Sequence, residues 1–233
     1  MDSNKRGRIV ASLIGVLLAL LLPVGAVLIF KFKEKDRVLV KIPKFYYPVG
    51  LDTIQDLNGK IRIDTLYHTI PYFNFTSQNK QAFTSDDVTG KIWIAEFFYT
   101  SCPGICPLMN SQMQRIQNEF MGDDKVIICS FTTDPVNDSA EVLKSYGERY
   151  NAVSGKWYFL TGSRDSLQAL ARNGFKITAI DGLTTDGEIN HSNKLVLMDG
   201  KKRIRGYYDG TDSSSVNKLM GDIVLLISRD GKE

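Results

Sequence analysis

The sequence predicts an α/β domain, a central mixed β-sheet flanked by helices, that follows an N-terminal transmembrane helix. Two short apolar runs, 91–98 and 125–131, are each followed by residues at helical spacing, which is typical of parallel strands joined by helices. Later apolar segments on either side of Asp199-Gly200 have the pattern of an antiparallel hairpin, and an amphipathic helix follows them. The uncharged run from Ile9 to Phe30 is long enough to span a bilayer.

The composition fits one globular domain and excludes several classes of protein. Of 233 residues, 43% are hydrophobic and 24% are charged, close to the average for globular proteins. This length accommodates one ordinary domain with an extension. The formal net charge is only +3, and basic residues are scattered among acidic ones, so no nucleic-acid-binding surface is predicted.

The N-terminal apolar run is interpreted as a membrane anchor rather than a cleaved signal peptide. It is longer than the apolar core of a signal peptide, and no convincing small-x-small cleavage site follows it. We therefore predict a cytoplasmic N-terminus at 1–8, a transmembrane span at 9–30, a juxtamembrane stalk at 31–48 and the soluble domain at 49–233. Basic residues flank the span on both sides, so charge does not set its orientation.

Two short hairpins are predicted ahead of the first core strand. Asn58-Gly59 is a tight-turn dipeptide within DLNGKIRID. Farther along, Phe73 and Phe75 alternate with polar residues before the polar turn of YFNFTSQNKQAFT. Each segment is expected to form an antiparallel pair.

A strand, a cysteine loop and a helix then follow one another directly. The run 91–98 (KIWIAEFF) resembles a strand buried on both faces, and it leads into TSCPGICP. Pro107 suits the first helical position because its missing N–H is not needed there. Apolar residues then recur at helical spacing: Leu108, Met109, Met113, Ile116 and Phe120.

The next segment completes a βαβ unit. The run 125–131 (KVIICSF) is predicted as a strand, and Asp138 with Glu141 has the spacing of a capping box that opens a helix reaching about Tyr150. A further short strand is predicted at 156–160.

The C-terminal part of the chain predicts the remaining elements. A helix at 164–172 can end at Gly174, and 175–180 is expected to be extended. The hairpin around Asp199-Gly200 and a last helix complete an arrangement typical of the thioredoxin-like fold. That helix is marked by Val216, Leu219, Met220, Ile223, Leu226 and Ile227.

Cys102 and Cys106 are the strongest candidates for a functional site. They lie at the mouth of a helix that follows a buried strand, where the helix N-terminus favours a thiolate. A thiolate can be the nucleophile of disulfide exchange or a ligand for a soft metal, and C-x-x-x-C spacing permits both. Two inert structural thiols are the simpler alternative, but the flanking prolines make a poor packed helix interior.

The other candidate ligands are two histidines and a third cysteine. His191 follows a loop long enough to be steered toward the cysteine loop, but the residues alone leave open whether it is a ligand. His68 precedes the core and is interpreted as a surface or hairpin residue. Cys129 lies in an apolar strand and is expected to be a buried, inert thiol.

From about Pro71 to the C-terminus, the sequence resembles the Sco/SenC family. The resemblance is carried by FFYTSCPGICPLM, SFTTDPVNDSAEVLKSYGERY, WYFLTG and INHSNKLVLMDGKKRIRGYYDGT, in that order. It implies a membrane-tethered, thioredoxin-like protein that binds copper and helps to mature the CuA centre of cytochrome c oxidase. The implied ligands are Cys102, Cys106 and His191, which would hold one copper ion per chain. Two thiolates and an imidazole suit Cu(I) and tolerate Cu(II).

The sequence departs from the family pattern near the site. Asn190 stands where many members have Asp, and Asn137 stands where many have a basic residue. The three implied ligands are kept, but a supporting role for these two positions is in doubt. Asp134 is a candidate for a carboxylate near the metal, or a turn residue before Pro135. Asp138 is interpreted as a helix cap.

Two functions remain open from the sequence. The first is a copper metallochaperone, anchored in the cell inner membrane with its domain on the extracytoplasmic side, that serves the copper-bearing subunit of cytochrome c oxidase. The second is an enzyme, a thiol–disulfide oxidoreductase that uses Cys102 and Cys106 on that subunit or on other exported proteins. A copper donor protein or a thiol reductase would be a further partner. His191 separates the two functions, because only the copper site needs it.

Overall fold

The computed structural model describes residues 43–55, 59, 61–177 and 192–229, together with positions 19 and 21. Almost all of the predicted span at 9–30 therefore lies outside the described residues. Among the residues that are described, no helix is long and apolar enough to cross a membrane. The chain divides into two compact units, 1–41 and 42–233, and the second contains the described fold.

The first hairpin forms a separate two-stranded sheet. Strands β1 (Pro48–Gln55) and β2 (Ile61–Tyr67) pair antiparallel. Gly59 lies in the connection with a φ of +79°, a left-handed conformation that glycine adopts without strain. The predicted hairpin is therefore confirmed, and most of its side chains are exposed.

The main sheet is mixed, as the sequence predicts. Its strands are β3 (Asn74–Ser77), β4 (Ala82–Thr84), β5 (Ile92–Phe98), β6 (Val126–Thr132), β7 (Trp157–Thr161), β8 (Lys194–Met198) and β9 (Ile204–Asp209). Among the described residues they lie in the order β4-β3-β7-β6-β5-β8-β9. The central strands β5, β6 and β7 are parallel, whereas β8 and β9 form the predicted antiparallel hairpin. The second predicted hairpin, β3 with β4, extends this sheet by pairing β3 with β7.

Four α-helices cover the sheet in the part of the chain that the structure describes. They are α1 (Ile105–Glu119), α2 (Ala140–Arg149), α3 (Arg164–Ala169) and α4 (Ser213–Arg229). A π-helical turn, Leu170–Gly174, continues α3, so the chain leaves the helix at Gly174 as predicted. The extended stretch predicted at 175–180 is wrong in its described part, because Phe175 keeps helical dihedral angles (φ −84°, ψ −4°) and Lys176 is left-handed with a φ of +56°. Residues 178–180 lie outside the described residues.

Two helix starts differ from the sequence prediction. Helix α1 begins at Ile105, so Pro107 is its third residue; a proline is tolerated there because the first four N–H groups have no partner within the helix. Helix α2 is capped by Ser139, whose side chain accepts a hydrogen bond from the Val142 N–H. Asp138 is therefore not the cap, because its carboxylate is used elsewhere.

Alternate residues of β5 face two separate hydrophobic cores. Ile92, Ile94 and Phe98 pack in the core that also contains both cysteines of the loop. Residues 93, 95 and 97 face the opposite core. This period of two fixes the direction of every side chain along the strand, including the one charged residue in it, Glu96.

An N-terminal clamp holds residues 43–47 against β9. The buried Arg205 side chain donates to Asp199 at 3.0 Å and to the Pro43 carbonyl at 3.1 Å. Its guanidinium also lies over the Phe45 ring at 3.9 Å. The Tyr46 N–H donates to the Ile204 carbonyl. These contacts fasten the end of the predicted stalk to the domain.

Candidate metal and thiol site

The cysteine loop leaves the C-terminal end of β5 and enters α1. Cys102 lies three residues before the helix begins, and Cys106 lies in its first turn. Both are free thiols with little exposure, 6% for Cys102 and 2% for Cys106. The Cys102 N–H donates to the Tyr99 carbonyl, which closes the turn that carries the first thiol.

The surroundings of Cys102 favour its thiolate. Burial alone raises the pKa of a thiol, because the charged form loses its hydration. At Cys102 this effect is outweighed by hydrogen bonds from the Cys106 thiol and from the N–H groups of Cys106 and Gly104. The Tyr99 hydroxyl adds a further hydrogen bond, and the pKa of Cys102 is lowered. These donors belong to the start of α1, where unpaired N–H groups point toward an anion.

The pKa values of Cys106 and Tyr99 are raised, opposite to that of Cys102. Burial raises the pKa of Cys106, and its hydrogen bond to Cys102 raises it further. Burial and the charge of Cys102 raise the pKa of Tyr99 to about 12. At neutral pH the pair therefore contains one reactive thiol, Cys102, and one thiol that keeps its proton, Cys106.

Asp138 fastens the cysteine loop to the neighbouring strand. Its carboxylate is 1% exposed and accepts hydrogen bonds from the N–H and hydroxyl of Thr100. It also accepts a hydrogen bond from the Thr132 hydroxyl at the end of β6. Asp138 thus holds the backbone two residues before Cys102, which corrects its interpretation as a helix cap.

Asp134 lies in a turn beside the site. Its carbonyl accepts hydrogen bonds from the N–H groups of Asn137 and Asp138, and its carboxylate accepts one from the Asn137 side chain at 2.7 Å. Its charge also contributes to the raised pKa of Tyr99, which places it on the same side of the domain as Cys102. Both interpretations of Asp134 thus have support, and its role toward a metal stays a prediction.

The two remaining described candidates lie away from the pair. Cys129 is fully buried on β6 and faces the opposite core, and burial raises its pKa. The expected buried thiol is confirmed. His68 follows β2, and its Nε2 lies 2.8 Å from the Gly174 carbonyl oxygen, as expected for a residue outside the site.

Ser192 and Asn193 precede β8, which begins at the end of the sheet that carries the cysteine loop. His191 and Asn190 lie outside the described residues. Ser192 is 1% exposed, and Asn193 donates to the Asp209 carboxylate at 2.9 Å. Within 43–55, 59, 61–177 and 192–229, no group of three His, Cys, Asp or Glu side chains could hold a metal ion. The described part of the site therefore supplies two sulfur donors.

Three residues of the site were missed by the sequence interpretation. Tyr99 and Asp138 act on the cysteine loop through contacts that no local pattern shows. Glu96 is different, because a charged residue in the apolar strand IWIAEFF could have been singled out. It is 0% exposed, and burial raises its pKa to about 7.

Comparisons with known proteins agree with the fold. The family model described as SCO1/SenC matches residues 63–227. The SCO1 protein homolog of Bacillus subtilis is 26% identical over 162 residues, which cover 69% of this chain and 83% of that protein. The solved structure of BsSco, a member of the Sco family of cytochrome c oxidase assembly proteins with a disulfide switch, has a TM-score of 0.61 at 26% identity, covering 71% of this chain and 96% of that one. Bradyrhizobium japonicum ScoI with copper bound has a TM-score of 0.53 at 23% identity, covering 68% and 99%, and supports the fold alone.

Proposed function

Because the chain belongs to the SCO1/SenC family, we propose that it is a membrane-anchored copper metallochaperone that helps to deliver copper to the CuA centre of cytochrome c oxidase. The observation that carries the proposal is the pair of free thiols at the start of α1, one of which has a lowered pKa. Its cargo would be one copper ion per chain, held by Cys102, Cys106 and His191.

The described donors fit copper. The sulfurs of Cys102 and Cys106, four residues apart at the start of α1, suit a soft metal such as Cu(I), which thiolates bind preferentially. The Cys102 thiolate is stabilised before any metal arrives, and Cys106 gives up a proton on binding. When bound, copper would supply the positive charge that makes a second buried thiolate favourable.

The path of β8 supports His191 as the third ligand. Strand β8 runs antiparallel to β5, with Val196 opposite Ala95, so β8 begins at the end of β5 where the cysteine loop starts. His191 precedes Lys194 by three residues, a length of chain that reaches at most about 10 Å. A residue three positions before Lys194 can therefore reach the end of the sheet that carries the cysteine loop, which supports the proposed ligand.

The remaining parts of the proposal concern location and partners. The apolar run 9–30 would anchor the chain in the cell inner membrane as a single span, with the domain on the extracytoplasmic side. The recipient would be the copper-bearing oxidase subunit, and a copper donor protein or a thiol reductase would prepare the site. The description of BsSco as a cytochrome c oxidase assembly protein supports this choice of recipient.

Copper titration of the reduced, detergent-solubilised full chain tests the proposed ligands. We expect one Cu(I) per chain, with sulfur and nitrogen donors in X-ray absorption spectra. His191→Ala should remove the nitrogen donor and weaken binding strongly. His68→Ala is the matched control, because His68 is bonded to the Gly174 carbonyl, and it should leave copper affinity unchanged. Equal copper affinity in both variants would contradict the third ligand.

A second candidate function, thiol–disulfide exchange, is favoured by the opposite pKa shifts of the two cysteines. A nucleophilic Cys102 would attack a disulfide of the target, and the protonated Cys106 would resolve the mixed disulfide. This chemistry requires both thiols but no histidine.

Oxidase copper in cells that carry single variants separates the two functions. If copper delivery dominates, His191→Ala and Cys102→Ser should lower oxidase copper to a similar degree. Full oxidase assembly with His191→Ala, combined with failure of Cys102→Ser, would exclude copper delivery by these three residues and establish the exchange activity in its place.

A further inference from the structure

The hairpin formed by β1 and β2 carries an exposed apolar strip. Its pairing places Leu51 opposite Thr65 and Ile63 opposite Thr53, so the odd-numbered residues of both strands share one face. On that face the side chains of Leu51, Ile61 and Ile63 are 71%, 67% and 67% exposed. These three residues define the apolar hairpin face, which the described part of the domain leaves in solvent.

The opposite face of the hairpin is charged. Asp52 and Asp64 lie opposite each other there. The Arg62 guanidinium lies 3.6 Å from the Asp64 carboxylate, and both side chains are well exposed. A two-stranded sheet is marginally stable in water, and an exposed apolar patch normally marks a contact surface. With one apolar and one charged face, this hairpin is suited to a boundary between an apolar phase and water.

The chain that precedes the hairpin indicates which apolar phase this is. Residues 31–47 connect the proposed span at 9–30 to β1, and they include six basic but only two acidic side chains. A basic segment beside a span attracts anionic lipid headgroups. At the root of the hairpin Tyr47 is exposed, and Tyr67 stacks on Phe45 with ring centroids 4.5 Å apart. Since aromatic side chains concentrate at membrane interfaces, charge and composition both favour a lipid surface over a protein partner.

We propose that the apolar hairpin face docks on the surface of the anionic bilayer that holds the chain. The inference rests on the membrane anchor of the proposed function and is independent of the copper site. The three apolar side chains would enter the boundary between headgroups and acyl chains, while Asp52 and Asp64 would remain in water. The basic residues of 31–47 would add electrostatic attraction to the same leaflet.

The hairpin is rooted at the end of the main sheet remote from the thiols. The His68 N–H donates to the Tyr47 carbonyl at 2.9 Å, and Thr69 forms a β-bridge with Arg203, which directly precedes β9. Strand β9 begins at the end of the sheet where β5 also begins, whereas the cysteine loop follows the other end of β5. Docking would therefore hold one end of the domain at the lipid and leave the cysteine loop at the opposite end.

Tryptophan fluorescence of the full chain in vesicles tests the docking. The vesicles contain phosphatidylglycerol, phosphatidylcholine and a lipid with a doxyl quencher near the top of its acyl chain, all in both leaflets, so that either orientation of the chain reports. Ile63→Trp places a reporter on the apolar hairpin face, and Arg62→Trp is the matched control on the charged face. The native Trp93 and Trp157 are fully buried and give a constant background. Ile63→Trp should be blue-shifted and lose severalfold more of its added fluorescence than Arg62→Trp.

A second pair of variants guards against a misfolded reporter. Leu51→Trp and Asp52→Trp repeat the comparison on β1, and the same difference is expected. Replacing phosphatidylglycerol with phosphatidylcholine should reduce quenching on the apolar hairpin face, because the attraction of headgroups to 31–47 is lost. Quenching that is equal on the two faces, absent from the apolar face or independent of lipid charge would overturn the proposal.

Two further outcomes separate the docking from its alternative and from the proposed function. If Ile63→Trp is blue-shifted but unquenched, and loses its blue shift as the chain is diluted with lipid, a second copy of the chain covers the face and lipid docking is rejected. An alkaline carbonate wash tests the anchor. A chain that leaves the vesicles rejects the anchor and the docking together, whereas a retained chain without quenching rejects only the docking. Copper titration of Ile63→Trp should match that of the wild type.

Discussion

Cys102 and Cys129 are both buried, yet the fold shifts their thiol pKa values in opposite directions. Cys129 lies in the middle of a parallel strand, where every nearby backbone N–H is already paired within the sheet, and burial raises its pKa. Cys102 lies just before a helix, where free N–H groups and the Tyr99 hydroxyl stabilise a thiolate. Burial therefore does not decide the reactivity of a thiol in this domain; the supply of unpaired donors does.

The largest expected difference between these environments is in alkylation rate. Iodoacetamide should modify Cys102 first in the native chain. Cys129 should react at least roughly 10³-fold more slowly, because its exposure requires unfolding that costs at least about 5 kcal/mol. Peptide mass spectrometry at timed intervals measures both rates. Comparable native-state rates would show that the cysteine loop offers no special environment.

The pH dependence of alkylation extends the comparison to Cys102 and Cys106. The pKa of Cys102 is lowered, so its thiolate persists as pH falls from the ordinary thiol range and is lost only near the lowered value. The pKa of Cys106 is raised, so its alkylation rate should still increase with pH above that range. Profiles that coincide would contradict the division of roles.

Asp138 tests whether the donors around Cys102 must be held in place. Asp138→Asn replaces one oxygen of a buried carboxylate that accepts three hydrogen bonds with an NH2 donor, and it should lower the free energy of unfolding by about 3 kcal/mol. It should also slow Cys102 alkylation at neutral pH. Asp134→Asn is the control, because Asp134 is only partly buried, and it should cost less than about 1 kcal/mol. Denaturant unfolding of both variants measures the difference, and equal losses would assign no special role to Asp138.

Cys129→Ser tests the thiol on the other face of the sheet. A hydroxyl without a partner in this core should cost about 2 kcal/mol, since a buried unsatisfied polar group is unfavourable. Copper stoichiometry and Cys102 alkylation should not change. Loss of copper binding from a folded variant would show that this cysteine belongs to the site.

The smallest expected effect concerns the Tyr99 hydroxyl. Tyr99→Phe removes one donor to Cys102 but keeps the backbone donors, so the pKa of Cys102 should rise slightly. Alkylation of Cys102 should fall severalfold at pH values below its pKa, with little change above it. An unchanged rate would leave the helix N-terminus as the main source of the shift.

Most of the fold could be predicted because local patterns encode it. The apolar runs of β5 and β6, the turn at Asp199-Gly200 and the periodicity of α4 are each visible within one short segment. The helix starts were less predictable. Ser139 and Asp138 are both good capping residues, and only the tertiary hydrogen bonds from Thr100 and Thr132 show which one remains free to cap.

The two sulfur donors of the site could be predicted from the sequence, but the residues that hold the cysteine loop in place could not. The cysteine spacing and the following helix indicate a thiolate pair from sequence alone. By contrast, the hydrogen bond from Thr100 to Asp138 and that from Ser130 to Glu96 join residues distant in sequence. Such contacts depend on strand order, and no pattern within a single segment specifies them.

The clamp at Arg205 has a mechanical consequence. Pro43, Phe45 and Arg205 lie at the end of the sheet where β5 begins, whereas the cysteine loop lies where it finishes. A strand of this length separates the two ends by about 20 Å. A force applied to the N-terminal chain would therefore act first on Arg205, which is ion-paired with Asp199, and on Phe45, before it reached the cysteine loop. Force applied at residues 43–47 therefore enters the domain at the end of the sheet opposite the reactive thiols, and the cysteine loop bears none of it directly.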